Sequence, residues 1–176
     1  KNLELIINLF YLLNPFIILN PFNSQFLIMI IIMIILILLS ALLSGSEVAI
    51  FGLSNTQKLN LSKDTKNKNS KRILKLIENP KKLLATILIG NNLVNVTIVI
   101  ISSIVVKNIL PKEPQSSLTN FIIQVVLVTF IILLFGEVIP KVYANSYKIK
   151  FSKVMALPLS VLKVIFNPLS NLLISS

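Results

Sequence analysis

The amino-acid sequence predicts an all-α integral membrane protein, and three observations support that prediction. The chain is 55% hydrophobic and only 13% charged, whereas about a quarter of the residues in soluble proteins are charged. Three apolar stretches, residues 26–53, 83–106 and 118–140, reach the roughly 20 residues that a helix needs to cross a bilayer. Residues 27–39 show no alternation of polarity, which argues against the strands of a membrane barrel.

The distribution of positive charge predicts the topology. Of the 17 Lys and Arg residues, nine lie in 58–82 and five in 141–163. Cytoplasmic loops are enriched in these residues. We therefore expect loop 54–82 and the chain after Pro140 to be cytoplasmic, and the N-terminus and the loop near Pro111 to lie outside. The net charge of +11 is interpreted as this orientation signal, not as affinity for nucleic acid.

We divide the chain into three parts. Residues 1–24 form a peripheral apolar segment, because Pro15 and Pro21 interrupt it and no signal-peptide cleavage site follows. Residues 25–156 hold the three spans, and residues 157–176 form a juxtamembrane segment that is expected to lead to a missing cytoplasmic domain.

The segments between and after the spans are also predicted to be helical. Loop 54–82 is expected to form a helical hairpin that either faces lipid headgroups or contacts a missing cytoplasmic domain. After Pro140, lysines interspersed among apolar residues predict an amphipathic belt helix along the inner leaflet. A fourth span over 157–174 is the alternative, but Lys163 would lie at its middle.

The absence of cysteine and histidine limits the chemistry available to the chain. It removes thiol chemistry, imidazole metal sites and catalytic triads with a histidine base. An intramembrane hydrolase built on Ser44 or Ser46 would also lack a nearby His or Lys to activate the serine. We therefore predict that the protein is not an enzyme.

Two of the six acidic residues, Glu47 and Glu137, fall inside the apolar stretches. A carboxylate at such a position is costly and is a functional candidate by default. In the first span, Ser40 and Ser44 precede Glu47 by seven and three residues, so the three side chains share one helix face.

The other two spans supply further oxygen donors. Asn91 and Asn95 are four residues apart and share a face of the second span, beside the adjacent amide of Asn92. In the third span, Gly136 and Pro140 are expected to loosen the helix around Glu137 and to free backbone carbonyls. Oxygen donors without imidazole or thiolate suit hard cations such as magnesium, calcium or sodium, and two carboxylates would match one divalent charge.

Three motifs identify a family resemblance. They are Ser-Gly-Ser-Glu-Val-Ala-Ile-Phe at 44–51, Asn-Pro at 79–80 leading to Gly-Asn-Asn-Leu-Val-Asn at 90–95, and Phe-Gly-Glu-Val-Ile-Pro-Lys at 135–141. In this order and spacing they resemble the transmembrane domain of the CorC/CorB and cyclin M family of magnesium transport proteins. The resemblance covers about residues 26–156.

The resemblance implies a homodimer of three-span protomers with a belt helix, followed by cytoplasmic nucleotide-binding modules. It also implies that a dehydrated Mg²⁺ lies between the spans. The matching ligands are Ser44, Asn91 or Asn92, Gly136 and Glu137, whereas Glu47 is not required in cyclin M relatives.

The resemblance further implies a magnesium transporter in the bacterial inner membrane that exports the ion, with sodium as the coupling ion. The chain also resembles the gliding-motility branch called GldE. The alternative function is therefore an accessory or scaffold subunit, for gliding or secretion, that retains a structural cation site without transporting.

Overall fold

The computed structural model describes residues 24–64, 66–109 and 117–175, and these residues are almost entirely helical. The elements in chain order are α1 (Ser24–Phe51), α2 (Asn55–Lys63), α3 (Lys68–Ile77), α4 (Pro80–Ile109), α5 (Ser117–Ile131), a π-helical segment (Ile132–Val138), α6 (Ile139–Ser146), α7 (Lys148–Ile165) and α8 (Asn167–Ser175). The predictions for residues 1–23 and for the loop near Pro111 lie outside the described residues.

Three helical stretches of the described chain are long and apolar enough to cross a membrane, which confirms the predicted all-α membrane fold. They are Ser24–Phe51, Pro80–Val106 and Val125–Ser146. Residues 157–174 do not form a fourth, because α7 ends at Ile165 and α8 begins at Asn167.

The third span continues past Pro140, where the sequence analysis ended it, and reaches Ser146. Pro140 lies in the first turn of α6, directly after the π-helical segment. Proline has no N–H group to donate along a helix, and Pro140 lies where the π-helical segment ends and α geometry resumes. The chain remains helical through this position.

The loop between the first two spans contains the two short helices α2 and α3, each of which begins at a side-chain cap. Ser54 and Gln57 form a capping box, in which the Ser54 Oγ accepts from the Gln57 N–H at 3.2 Å and the Gln57 Oε1 accepts from the Ser54 N–H at 2.9 Å. Asn67 caps α3 by accepting from the Asn69 N–H at 2.9 Å. Leu61 and Ile73 are buried in a core that they share with Ala156 of α7.

A second core joins the spans to α7. Leu43 of α1, Ile87 of α4 and Met155 of α7 are buried together, so α7 packs against the first two spans. Farther along α4, Ile98 packs with Ile132 of the third span. The three spans and α7 are thus held at fixed relative rotations, and these rotations determine which polar side chains meet.

Candidate cation site

The polar side chains of α1 and α4 meet at Ser40. Its side chain is fully buried, and its Oγ lies 2.7 Å from the Asn95 Oδ1 and 3.0 Å from the Asn91 Oδ1. A hydroxyl has one hydrogen to donate, so the two amide oxygens share it. Asn91 and Asn95 are four residues apart on α4 and face the same serine, as their spacing requires.

The same two amides face Glu137 of the third span. The Nδ2 atoms of Asn91 and Asn95 lie 3.5 and 3.4 Å from the Glu137 Oε1. Hydrogen bonds of this length are weak. Ser40, the amides and Glu137 therefore form a chain of polar contacts that connects all three spans.

Gly136 allows the third span to approach α1 closely. A Cβ atom at this position would lie 3.0 Å from the Ser40 Oγ and 3.4 Å from the Ser40 Cβ. A residue with a Cβ atom would require Ser40, which holds the two amides, to shift by a few tenths of an ångström. Small residues at helix contacts in membranes serve this kind of close approach.

Gly136 and Glu137 lie within the π-helical segment, where the backbone departs from α geometry. The Ile139 N–H donates to the Leu134 carbonyl, five residues back, at the end of this segment. Such segments are rare and frequently occur at functional sites. Gly136 and Pro140 predict a loosened helix here, and the π-helical segment is the form that this irregularity takes.

Ser44 is one turn from Ser40 on α1 and differs from it in its contacts. Its side chain is 1% exposed, and its Oγ has no hydrogen-bond partner among the described residues. An unpaired buried hydroxyl costs free energy. Ser44 therefore has a donor and acceptor group available for a ligand close to the polar chain.

Glu47 is placed apart from these contacts. Its carboxylate lies 3.7 Å from the Lys141 Nζ, and both side chains are 39% exposed. Glu47 keeps the helix face that its spacing predicts, because α1 is continuous through Ser40, Ser44 and Glu47, but the continued third span brings Lys141 to its carboxylate. One carboxylate, not two, faces the amides.

Asn95, and not Asn92, lies beside Asn91 at Glu137. Asn92 is exposed, and the contacts with Glu137 come from Asn91 and Asn95. Ser40 and Asn95 were recognised from their spacing as facing residues but were not among the expected ligands. The four-residue spacings Ser40 to Ser44 and Asn91 to Asn95 were the signals that could have added them.

The polar groups of this site are hydroxyls and amides together with a single carboxylate. Within the described residues no group of three acidic, cysteine or histidine side chains lies together. Hydroxyls, amides and one carboxylate on three spans suit a hard cation. The fold and these contacts thus define a helical membrane protein with a polar cluster between its three spans.

The family follows from comparison with known proteins. Residues 31–176 match the family described as the cyclin M transmembrane N-terminal domain, and the chain belongs to this family. The family resemblance stated from the motifs is therefore confirmed; the GldE branch stays a prediction.

Two bacterial relatives are similar to most of the chain. The UPF0053 inner membrane protein YfjD of Escherichia coli is 33% identical over 134 residues, which are 76% of this chain and 30% of the relative. A UPF0053 protein of Haemophilus influenzae is 36% identical over 147 residues, which are 84% of this chain and 32% of the relative. The chain thus spans about a third of the length of these relatives.

Proposed function

We propose that this chain is the membrane domain of a magnesium transport protein and that Glu137 is the main ligand of the ion. The observation that supports this most directly is the contact of a single intramembrane carboxylate with two amides of another span, inside a π-helical segment. Membership of the cyclin M family supports magnesium as the ion, because the motifs resemble those of magnesium transport proteins. The protein is a transporter in this proposal and not an enzyme.

The proposed ligands are oxygens from all three spans. Glu137 supplies the charge, Ser44 a buried hydroxyl without a described partner, and the π-helical segment the carbonyl of Gly136. The Oδ1 atoms of Asn91 and Asn95 accept from Ser40, whereas their Nδ2 atoms face Glu137. Binding of a cation to these amides therefore requires them to turn, so that oxygen replaces N–H toward the ion.

Asn92 was expected as an alternative ligand to Asn91. Its exposure in this structure makes Asn95 the better partner for Asn91 in the proposed set. A role for Asn92 requires a different rotation of α4. Comparison of Asn92→Ala with Asn91→Ala and Asn95→Ala tests that role.

The transport mode, location and assembly are proposed from the family. We infer alternating access with export of magnesium, sodium as the coupling ion, a homodimer, and nucleotide-binding modules elsewhere in the full-length protein. The printed name of the relative YfjD supports a bacterial inner-membrane location. The nine positive charges of 58–82 support a cytoplasmic loop, an external N-terminus and a cytoplasmic C-terminus.

The test of the site is magnesium-dependent thermal stabilisation of the purified protein. A ligand that binds only the folded state stabilises it by about 2.7 kcal/mol at 100 times its Kd. Glu137→Gln keeps the side-chain volume and removes the charge, so the magnesium shift should nearly vanish. Affinity should fall by about a hundredfold or more, since changes one shell beyond a metal already cost about 10- to 100-fold.

Glu47→Gln is the matched control, because it makes the same chemical change in another span. It should retain the wild-type magnesium shift. Asn91→Ala and Asn95→Ala should weaken binding less than Glu137→Gln, and Asn92→Ala should weaken it least. A magnesium shift that survives Glu137→Gln and disappears in Glu47→Gln would place the site on the first span and contradict the proposal.

Magnesium flux into or out of liposomes separates transport from a structural cation site. The proposal expects flux in the wild type that Glu137→Gln abolishes. Magnesium binding without any flux by the full-length protein would instead favour the accessory or scaffold function.

A further inference from the structure

A second polar feature lies away from the intramembrane site, where α3, the start of α4 and the end of α7 meet. These elements enclose a cavity of about 470 Å³. Four basic side chains line it: Arg72, Lys75, Lys82 and Lys163. Arg72, Lys75 and Lys82 come from the neighbouring helices α3 and α4, and the fold brings Lys163 of α7 to the same space.

The basic side chains of this cavity have little acidic compensation. The described ion pairs of the chain, Lys141 with Glu47 and Lys153 with Asp64, both lie elsewhere. Arg72 donates to the neutral Asn69 Oδ1 at 2.8 Å. Glu78 is the acidic residue whose field reaches Lys163, but it does not line the cavity. The cluster therefore retains an excess of positive charge.

The pKa of Lys163 is lowered in this cluster. Burial lowers its pKa most strongly, and the neighbouring charge of Lys82 lowers it further, while Glu78 acts in the opposite direction. A phosphate bound between these residues would offset their mutual repulsion and supply acceptor oxygens to all of them.

We propose that this cavity binds the phosphate headgroup of an anionic membrane lipid. Apolar side chains accompany the basic ones, since Leu76 and Val164 line the same space and Val164 is 75% exposed. Lys82 lies two residues after the start of a membrane span. Phosphate-binding basic residues at the end of a span, beside an exposed apolar surface, are the arrangement expected for a lipid and not for a soluble phosphate.

An exposed apolar surface of α7 continues from Val164 at the cavity. Val154, Leu157, Val161 and Val164 follow at intervals of three or four residues and are all more than half exposed. They form an apolar row along one side of the helix. Acyl chains of a lipid whose headgroup is in the cavity can lie against this row. The proposal does not depend on the magnesium site.

The experiment compares lipid binding to the purified full-length protein in a neutral detergent. Phosphatidylglycerol and phosphatidylcholine are titrated, and binding is followed by native mass spectrometry and by the melting temperature. We expect tighter binding of phosphatidylglycerol, and a loss of about thirtyfold in Lys75→Gln/Lys163→Gln, because each basic residue near an anionic headgroup contributes about fivefold.

Lys66→Gln/Lys71→Gln is the matched control. Both residues are exposed and outside the cavity lining, and this double variant lowers the net charge of +11 by the same two units. It should bind phosphatidylglycerol like the wild type. Lys75→Arg/Lys163→Arg, which keeps the charge, should also retain binding and shows that the site tolerates substitution.

Three outcomes would overturn the proposal. Equal losses in the cavity and control variants would show that net charge alone attracts the lipid. Equal binding of the two lipids by the wild type would remove the phosphate specificity. Stabilisation by inorganic phosphate that equals the effect of phosphatidylglycerol would identify a site for a soluble anion instead.

Discussion

Asp64, in the connection between the first two spans, and Glu137, in the third span, each accept hydrogen bonds from two side chains, but the donors differ in charge. Asp64 Oδ2 lies 3.0 Å from the Lys153 Nζ and 2.9 Å from the Ser70 Oγ. Glu137 Oε1 faces two neutral amides at 3.4 and 3.5 Å. The first carboxylate has a full counter-charge at short range, whereas the second has weak neutral contacts.

The comparison indicates two different uses of a negative charge. The Asp64 pair joins α2 to α7 and completes a contact that is already packed through Leu61 and Ile73. Its charge is satisfied within the protein. The charge of Glu137 is not matched by any described basic residue within ion-pair distance, so it remains available to a cation.

The largest effect on stability is expected from Ser40→Ala. This change removes the donor that both the Asn91 and Asn95 oxygens share in a buried position. An unsatisfied buried group costs about 1–3 kcal/mol, and thermal unfolding in detergent should show a loss in this range.

Ser44→Ala is the matched control for Ser40→Ala, one turn away on the same helix. The Ser44 hydroxyl is buried and has no described partner, so its loss should leave the stability without magnesium unchanged or raise it, while it reduces the magnesium shift. Equal destabilisation by the two variants would remove the distinction between a bonded and an available hydroxyl.

Asp64→Asn should lower the melting temperature less than Ser40→Ala, because the ion pair is partly exposed. The hydrogen bond from Lys153, followed by that from Ser70, lowers the pKa of Asp64 from its ordinary value. A lowered folded-state pKa contributes stability that is present above the unfolded pKa and lost as the pH falls through the folded value.

The wild type should therefore lose stability relative to Asp64→Asn as the pH is lowered from about 5 to about 3. Melting curves of the two proteins at several pH values measure this difference. Parallel pH profiles would show that the pair with Lys153 does not stabilise the fold in solution.

The stability of Glu137→Gln, measured in the presence of a chelator, is to be compared with that of Asp64→Asn. Because the carboxylate has only weak neutral contacts, replacing it with an amide should be neutral or stabilising within about 1 kcal/mol. A destabilisation larger than that of Asp64→Asn would mean that Glu137 is a structural carboxylate, and the comparison would fail.

The smallest effect is expected from Glu47→Gln. Its contact with Lys141 is long, and both side chains are 39% exposed. Ion pairs of this kind contribute about 0–1 kcal/mol. The melting temperature should change little, and added salt should erase the remaining difference.

The sequence predicted the spans and the central carboxylate because both follow from local information. Apolar runs of sufficient length must be helical in lipid, and Glu137 stands out as an acidic residue beside a glycine within one of them. The four-residue spacing of Asn91 and Asn95 also fixes a shared face without knowledge of the tertiary structure.

The remaining features depend on how the helices are rotated against one another. Whether Asn92 or Asn95 faces Glu137 is decided by packing such as Ile98 against Ile132, which no local pattern reveals. The pairing of Glu47 with Lys141 depends on the third helix continuing through Pro140. The contact of Asp64 with Lys153 joins residues 89 positions apart, and a charge pattern alone cannot select that partner.

The π-helical segment is wound more loosely than the α-helices on either side of it. Backbone hydrogen bonds there reach back five residues, so the segment holds one surplus residue relative to an α-helix. Rewinding it to α geometry would twist the two halves of the span against each other by about 100°, the angle of one residue. Glu137 lies inside the segment, so such a twist would swing its carboxylate relative to α4. The direction in which Glu137 presents its charge thus depends on the local winding of the third span.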